Sequence, residues 1–372
     1  MKRNLKNLWP AVAASFVAFT GILNAQADNA QMRNLENRVS ALEQRRGASG
    51  MINPPGRPQV KGGADLFIFG DLLYWNAHEN GLSYAIVNEG SASNLSDAEV
   101  KNIHGKWNWG FRVGAGYNLP HDGWDVNLTW LRFTDNGRKR THADEDEFIF
   151  PTLLHPADPI ARGATAKKAH SRWNLNLNQL DLDLGREFFV SKWLTLRPHF
   201  GVRTDWIRQK LHGDYKNFTS IATPNEAEYK LKDNWWGIGL AGGLDTQWGL
   251  GGGVSFFANF SGAIIYGFHD FDQDDNDEPA TGASLPNGKF VDLDNSYRVA
   301  HPIFDVAAGL RYDYMFSDDR FHVGLELGWE HHIYFSQNQF QVFVDDVALG
   351  SSVRNQGDLT FQGWTFAARF DF

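Results

Sequence analysis

The sequence predicts an all-β transmembrane fold: an antiparallel up-and-down outer-membrane β-barrel of about 10 strands, or about 12, preceded by a short N-terminal coiled-coil segment. Aromatic residues make up 14% of the chain although its mean hydropathy is −0.42. Apolar and polar residues alternate along many runs, and the turns between the runs are alternately short and long. In a barrel wall alternate residues face lipid and lumen, so a chain rich in aromatic residues can be polar on average.

Composition excludes several other classes of protein. The chain contains no cysteine, and therefore no disulfide framework, thiol nucleophile or thiolate metal site. Its net charge of −9 and pI near 5.8 argue against nucleic acid as a partner. Beyond the N-terminal region, no stretch approaches the roughly 20 apolar residues of a membrane-spanning helix.

Residues 1–27 are typical of a secretory signal peptide. Three basic residues precede an apolar run at 11–23, and Ala25 and Ala27 form the small-x-small cleavage pattern. A retained membrane anchor is the alternative, but the apolar run is short and no stop-transfer pattern follows it. We therefore expect the mature chain to begin at Asp28 in the periplasm.

Residues 28–48 form a short heptad pattern. Apolar residues recur at spacings of three and four: Met32, Leu35, Val39 and Leu42. This pattern predicts a periplasmic coiled coil, which is too short to be stable alone in water. A homo-oligomer, such as a trimer, held by this segment and an amphipathic stub resting on the barrel both remain open. The Pro- and Gly-rich stretch 49–63 predicts an extended linker, and residues 64–372 the barrel.

Alternation of apolar and polar residues is clearest in four runs, at 193–208, 235–248, 302–316 and 321–335. In the third, Phe304, Leu310 and Tyr312 alternate with Asp305, Arg311 and Asp313. The run 173–184 departs from this pattern, since its apolar residues are odd-numbered up to Leu177 and even-numbered from Leu180, so we expect a β-bulge near Gln179. The run 65–75 is apolar on both faces, and its inward face is not predicted.

Turn lengths predict the topology. Short connections lie at 118–123, 191–192, 249–252 and 317–319. Long connections lie at 78–106, 135–172, 212–233, 272–298 and 336–356. Because outer-membrane barrels have short periplasmic turns and longer external loops, this order predicts about 10 strands. A hairpin hidden at 83–87 or within 135–172 would raise the number to about 12.

The C-terminal run has apolar residues at alternate positions. Phe366, Phe370 and the terminal Phe372 alternate with polar residues, and Trp364 precedes them. This pattern is similar to the recognition signal of the barrel assembly machinery. We therefore expect that machinery, outer-membrane lipids and lipopolysaccharide to be partners, and the location to be the bacterial outer membrane.

Charged residues on the polar faces of the runs are candidates for the lining of a pore. They are Arg112, Arg197, Arg203, Asp205, Asp305, Arg311, Asp313, Glu326, Glu330 and Arg369. Mixed signs suggest a transverse field across a channel for passive diffusion of small hydrophilic solutes or ions. The alternative is that these ions pair and plug the lumen of a structural or adhesive surface barrel, because an eight-stranded barrel is already filled by side chains.

The sequence predicts no catalytic residues, no cofactor and no metal site. Three adjacent pairs of His and carboxylate residues fall near predicted outer strand ends: His269-Asp270, His331-His332 and Asp345-Asp346. Such groups could activate water, but no spacing fixes a nucleophile and its base, so a hydrolase at the barrel rim is the lesser alternative. The acidic stretch 272–278 begins like a calcium loop, yet Asp277 stands where that loop needs glycine. We therefore expect a solvated external loop there, with a divalent bridge to lipopolysaccharide as the alternative.

Several segments of the chain together resemble one family. They are Ala64-Asp65-Leu66-Phe67, Gly70-Asp71-Leu72-Leu73-Tyr74-Trp75, His78-Glu79-Asn80-Gly81-Leu82 and Gly110-Phe111-Arg112-Val113-Gly114. With the leader and linker, they resemble the Legionella-type pore-forming major outer membrane proteins and the MOMP-like porins of amoeba-associated chlamydia-type bacteria. The resemblance implies a porin-like surface protein and supplies no catalytic motif. Because this chain has no cysteine, it cannot cross-link the envelope through disulfides as the cysteine-rich chlamydial porins do.

Overall fold

The computed structural model describes residues 54–372 except 121, 161, 163, 220–224 and 279–287. The predicted signal peptide and coiled coil lie outside the described residues. The described part forms sixteen strands, which in chain order are β1 (Leu66–Glu79), β2 (Ser83–Glu89), β3 (Ala98–Asn102), β4 (Trp107–Asn118), β5 (Trp124–His142), β6 (Glu147–Pro151), β7 (Lys168–Arg186), β8 (Phe188–Phe189), β9 (Leu194–Lys216), β10 (Glu226–Gly251), β11 (Val254–Glu278), β12 (Gly288–Phe316), β13 (Phe321–Tyr334), β14 (Gln341–Phe343), β15 (Ser352–Arg354) and β16 (Leu359–Asp371). No helix in the described part is long and apolar enough to cross a membrane.

Ten of these strands close into an antiparallel barrel in the order β10-β11-β12-β13-β16-β1-β4-β5-β7-β9, with β9 returning to β10. The short strand β8 adds a two-residue pairing at the edge of β9. The predicted ten-stranded barrel is therefore confirmed. We call the end that carries the short connections the turn end and the opposite end the loop end.

The N-terminal linker runs along the turn end. The Arg57 side chain donates to the carbonyls of Trp124 at 3.0 Å and Leu119 at 3.2 Å. Lys61 pairs with Asp319 at 2.8 Å. Both C-terminal Phe372 and the start of β1 lie at this end, where Phe372 and Leu66 exchange backbone hydrogen bonds.

Four strands are much longer than a membrane crossing requires. The strands β9, β10, β11 and β12 contain 23, 26, 25 and 29 residues, whereas a transmembrane strand needs about 9–11. They extend beyond the bilayer at the loop end, so the predicted bounds of the long loops, 212–233 and 272–298, are wrong. In particular, the acidic stretch 272–278 belongs to β11 and is not a loop.

A belt of exposed apolar side chains marks the lipid-facing part of the wall. Toward the loop end it finishes in aromatic residues, which include the cross-strand neighbours Trp206, Trp236 and Phe268. Beyond these rings the outward side chains become polar, as Arg208 and Asp270 illustrate. Amphipathic rings prefer the headgroup level, so these residues mark the outer border of the bilayer.

The strand β7 contains no bulge near Gln179. Its pairing with β5 and β9 runs without a register shift from Lys168 to Gly185, so the predicted bulge is wrong. Leu175 and Leu177 point inward and are buried, whereas Leu182 points outward and is 51% exposed. The apolar residues change face because the loop-end half of the barrel packs an apolar interior and the other half faces lipid.

The loop-end half of the barrel is filled like the core of a soluble protein. Inward apolar side chains of the long strands pack against a three-stranded sheet of β3, β2 and β6, whose buried residues include Tyr84 and Ile149. The hairpin of β14 and β15 lies beside it, and His155 Nε2 is 2.8 Å from the Leu349 carbonyl oxygen. This core closes the loop end and leaves the polar lumen nearer the turn end.

Candidate functional site

All ten charged residues predicted from the sequence project into the lumen. Eight of them line a single cavity: Arg112, Arg197, Arg203, Asp305, Arg311, Glu326, Glu330 and Arg369. Asp205 is fully buried in the wall above the cavity, and Asp313 lies behind Arg311, at 2.9 Å from its Nε.

Seven charged side chains form a continuous chain of hydrogen bonds across the lumen. We call this chain the central ion belt, and its members in order are Asp71, Arg112, Glu330, His332, Asp305, Arg203 and Asp181. Arg112 on β4 bridges Asp71 at 2.5 Å and Glu330 at 2.6 Å. Arg203 on β9 bridges Asp181 at 2.9 Å and Asp305 at 2.7 Å. The two arginines therefore connect strands that are not neighbours in the barrel, so the belt crosses the lumen.

His332 joins the two halves of the belt. Its Nδ1 lies 2.8 Å from Asp305, and its Nε2 lies 3.1 Å from Glu330. Because an ionised carboxylate only accepts hydrogen bonds, both contacts are satisfied when each ring nitrogen carries a proton. A doubly protonated His332 supplies a third positive charge among the four carboxylates of the belt.

A second group of ions, the turn-end cluster, lies below the belt. Arg311 contacts Asp313 at 2.9 Å and Glu326 at 3.0 Å. His322 lies between Asp313 at 2.9 Å and Asp371 at 2.7 Å. Across the lumen, Arg197 bridges Asp125 at 2.5 Å and Asp245 at 2.9 Å.

Between the belt and the turn-end cluster lies a cavity of about 320 Å³ that both groups line. Uncharged polar residues complete its wall, among them Asn127, Thr129 and Asn259. The cavity has the volume for several water molecules or one small solute, and its lining offers hydrogen-bond donors and acceptors of both charge signs.

Six side chains close the lumen on the loop-end side of the belt, and we call them the apolar layer: Leu73, Trp75, Leu131, Phe133, Tyr334 and Phe361. Each is at most 2% exposed. The ring of Trp75 lies 4.7 Å from the ring of His332, so the layer rests on the belt. Phe133 and Phe361 meet edge to face at 5.7 Å. The side chains of the layer pack together above the cavity, and the hydroxyl of Tyr334 lies 3.1 Å from Gln179, which also lines the cavity.

Sequence reasoning missed several members of this site. Asp71 lies on the run that is apolar on both faces, so no alternation identified its direction. His332 was assigned to an external rim, but its neighbour His331 points outward while His332 points into the lumen. The signal that could have found His332 is its position two residues from Glu330 on the same face of β13.

The structure places the other predicted rim residues in contact with different groups. His269 is buried, with Nδ1 2.9 Å from Asp233 and Nε2 2.8 Å from Nε2 of His301. Asp345 accepts backbone hydrogen bonds from Val347 and Ala348 at its own turn. Among the described residues, no three His, Cys, Asp or Glu side chains are grouped so that they could hold a metal ion.

The family model of the Legionella pneumophila major outer membrane protein precursor matches residues 60–372. The chain belongs to this family. The predicted resemblance and the predicted outer-membrane location are therefore confirmed, and the loop end is the end that the short-turn rule assigns to the cell exterior. A comparison with curated proteins gives no match.

Solved structures of other outer-membrane barrels are similar at a low level. The outer membrane protease OmpT from Escherichia coli has a TM-score of 0.41 and 10% identity, covering 85% of this chain and 99% of that one. A Pseudomonas aeruginosa FadL homologue has a TM-score of 0.29 and 9% identity, covering 82% and 89%. The translocator domain of the autotransporter NalP from Neisseria meningitidis has a TM-score of 0.29 and 11% identity, covering 93% and 98%.

Proposed function

We propose that this family member is a narrow outer-membrane channel for passive diffusion of small hydrophilic solutes or ions. The cavity of about 320 Å³ between the central ion belt and the turn-end cluster carries the proposal. A barrel that serves only as a scaffold gains stability by filling its interior, whereas this one keeps a charged, water-accessible space within the membrane. In this proposal the cavity is the hydrated part of the pore.

The apolar layer acts as the gate of this channel. Hydrophobic constrictions close pores by excluding water, and small movements of bulky side chains rewet them. Trp75, Phe133 and Phe361 supply the bulk of the layer directly above the belt. The described conformation is therefore the closed state, and opening requires these rings to separate.

Replacing Phe133 and Phe361 together by alanine is expected to open the channel. The wild-type protein in a planar bilayer should give rare, brief conductance steps, and the double variant should raise the open probability about tenfold or more, because a wider constriction stays wet. Phe271→Ala is the matched control, since Phe271 is 1% exposed but packs on Phe340 in the loop-end core. Heat-modifiable gel mobility confirms that each barrel has folded.

The absence of conductance steps in folded wild type and in the folded double variant would contradict the channel. An increase of the same size in Phe271→Ala would show that any core cavity loosens the barrel, and the apolar layer would then not be a gate.

A second candidate function is a structural or adhesive surface barrel, which the packed loop-end core favours. The hairpin of β14 and β15 presents apolar side chains to solvent at that end, with Val347 80% and Leu349 58% exposed. Exposed apolar groups that project from a rigid base suit contact with another surface. We expect Val347→Ser with Leu349→Ser to reduce attachment of cells that display the barrel several-fold, while solute flux stays unchanged. Leu95→Ser, at a residue 55% exposed on another loop, serves as the control.

A further inference from the structure

Seven basic side chains form a patch on the outer wall of the barrel near the loop end, which we call the basic patch: Arg138, Arg172, Arg208, Lys210, His212, Lys230 and Lys232. They lie on four neighbouring strands and point outward. Arg138 is paired with Arg172, Arg172 with His212, and His212 with Lys230, so four basic residues stand side by side in one row. Lys210 and Lys232 are directly opposed in the next row toward the bilayer.

Compensation for the charge of the patch is confined to its β10 edge, where Lys230 and Lys232 are paired across strands with Asp274 and Asp272. Of the described carboxylates, only Asp272 lies within ion-pair distance of the patch, at 3.6 Å from Lys232. The pKa of His212 is lowered from its ordinary value by burial and then by its cationic neighbours, Arg172 foremost. Like charges opposed across a strand pair are destabilising, so the patch as it stands has a deficit of anions.

The patch also has a defined height in the membrane. It begins directly beyond Trp206 and Trp236, which mark the outer border of the bilayer. On the lipid side of these rings, Ile238 is 52% and Leu240 75% exposed. One vertical stripe of the wall therefore passes from aliphatic to aromatic to basic, the order of acyl chains, interface and phosphates in an anionic amphiphile.

The neighbouring wall has the opposite charge. At the same level, β11 and β12 present Asp270, Asp272, Asp274 and Asp294 outward. These carboxylates would repel phosphate, so the basic surface is restricted to β5, β7, β9 and β10. A general attraction to lipid would not produce such an asymmetric wall.

We propose that the basic patch is a binding site for the phosphorylated head of lipopolysaccharide in the outer leaflet. The phosphates contact the row from Arg138 to Lys230, and the acyl chains lie along the exposed aliphatic residues beneath Trp206 and Trp236. Arginine and lysine are the side chains that bind phosphate oxygens most strongly, and desolvation at the membrane surface strengthens these contacts.

The test uses the full refolded barrel in lipopolysaccharide-free micelles with purified bisphosphorylated lipid A as the probe, and native mass spectrometry measures the Kd. The patch variant carries Arg172→Gln, Arg208→Gln, Lys210→Gln and Lys230→Gln. We expect its Kd to rise about tenfold or more, because each basic group near a membrane surface contributes to anion binding. The control variant loses the same charge elsewhere through Lys61→Gln, Lys101→Gln, Lys192→Gln and Arg320→Gln, and its Kd should change less than about twofold.

Two further probes test whether the bound phosphate is that of lipopolysaccharide or that of another lipid. Dephosphorylated lipid A should bind about tenfold more weakly than the bisphosphorylated form, and vesicles of phosphatidylglycerol should not compete at equal phosphate concentration. An unchanged Kd in the folded patch variant overturns the proposal, as does equal binding of phosphatidylglycerol or of dephosphorylated lipid A. If the quadruple patch variant does not fold, the double variant with Lys210→Gln and Lys230→Gln is measured in the same way.

Discussion

Arg203→Met is expected to lower the free energy of unfolding of the barrel by about 3–5 kcal/mol, the range for removing one partner of a buried ion pair. Arg203 is 7% exposed and contacts Asp181 and Asp305 with two different nitrogens of its guanidinium. Methionine fills much of the same space but leaves both carboxylates without their shared cation. Urea unfolding of the protein in lipid vesicles, followed by tryptophan fluorescence, measures the change.

Arg208→Met is the matched control for this experiment. Arg208 lies on the same strand β9, but it points outward, is exposed and has no ion pair among the described residues. Its replacement should change the free energy of unfolding by less than about 0.5 kcal/mol, as is usual for surface substitutions. Adding Asp181→Asn to Arg203→Met should recover part of the loss, because Asp181 pairs with no other cation among the described residues and its stranded charge disappears.

Equal destabilisation by Arg203→Met and Arg208→Met would show that the ion belt does not hold the barrel together. The same conclusion would follow if adding Asp181→Asn to Arg203→Met made the barrel still less stable, since the carboxylate of Asp181 would then matter for reasons other than its bond to Arg203. Either result would leave the belt as a lining without a structural role.

Alternation could predict the membrane-spanning half of the fold because lipid imposes one rule there. Outward residues are apolar and inward residues polar, so runs such as 302–316 identified both a strand and its lumen face. For that reason the ten charged residues named from the sequence lie on the inward faces of their strands.

The loop-end half follows a different rule that alternation alone does not reveal. There water lies outside and an apolar core inside, so Leu211, Tyr215, Tyr229 and Leu231 point inward while basic residues point outward. Apolar residues alternate with polar ones at a period of two whether the apolar face points outward to lipid or inward to a core, so the period does not distinguish the two halves. The many charged residues in the loop-end stretches therefore favoured a prediction of loops.

The pairings within the site could not be predicted, because barrel closure creates them. Arg112 and Glu330 are 218 residues apart in the chain, and their contact depends on the positions of β4 and β13 around the barrel. Sequence patterns specify which face a residue occupies, and not which strand lies opposite it.

Asp275→Asn with Asp277→Asn is expected to stabilise the loop end above neutral pH and to remove most of its pH dependence. Both carboxyl groups lie beyond the bilayer on β11 and are at most 2% exposed. Burial, with the nearby Asp158 as the next raising influence, raises the pKa of Asp275 to about 7. Burial and then Asp158 raise the pKa of Asp277 to about 8.

The direction of the pH effect follows from these pKa values. In the unfolded chain both groups lose their protons near the ordinary carboxyl pKa of about 4, whereas the folded state holds them up to about pH 7–8. The stabilisation is therefore complete below about pH 4 and is lost as the pH rises through about 8. One pKa unit corresponds to about 1.4 kcal/mol, so each raised pKa alone contributes a loss of about 4–6 kcal/mol, on the order of 10 kcal/mol for both groups.

Hydrogen exchange of the backbone amides at the outer ends of β10 and β11, measured between about pH 5 and about pH 9 after correction for the intrinsic rate, tests this expectation. Protection should fall with rising pH in the wild type and stay nearly level in the double variant. Asp270→Asn, at an exposed outward position of the same strand, should keep the wild-type profile. A double variant that still loses protection as the pH rises would locate the titrating groups elsewhere in the loop-end core. Protection that stays level with pH in the double variant, and falls with pH in the wild type, would show that two buried acids on β11 make the external half of this barrel most stable in acid.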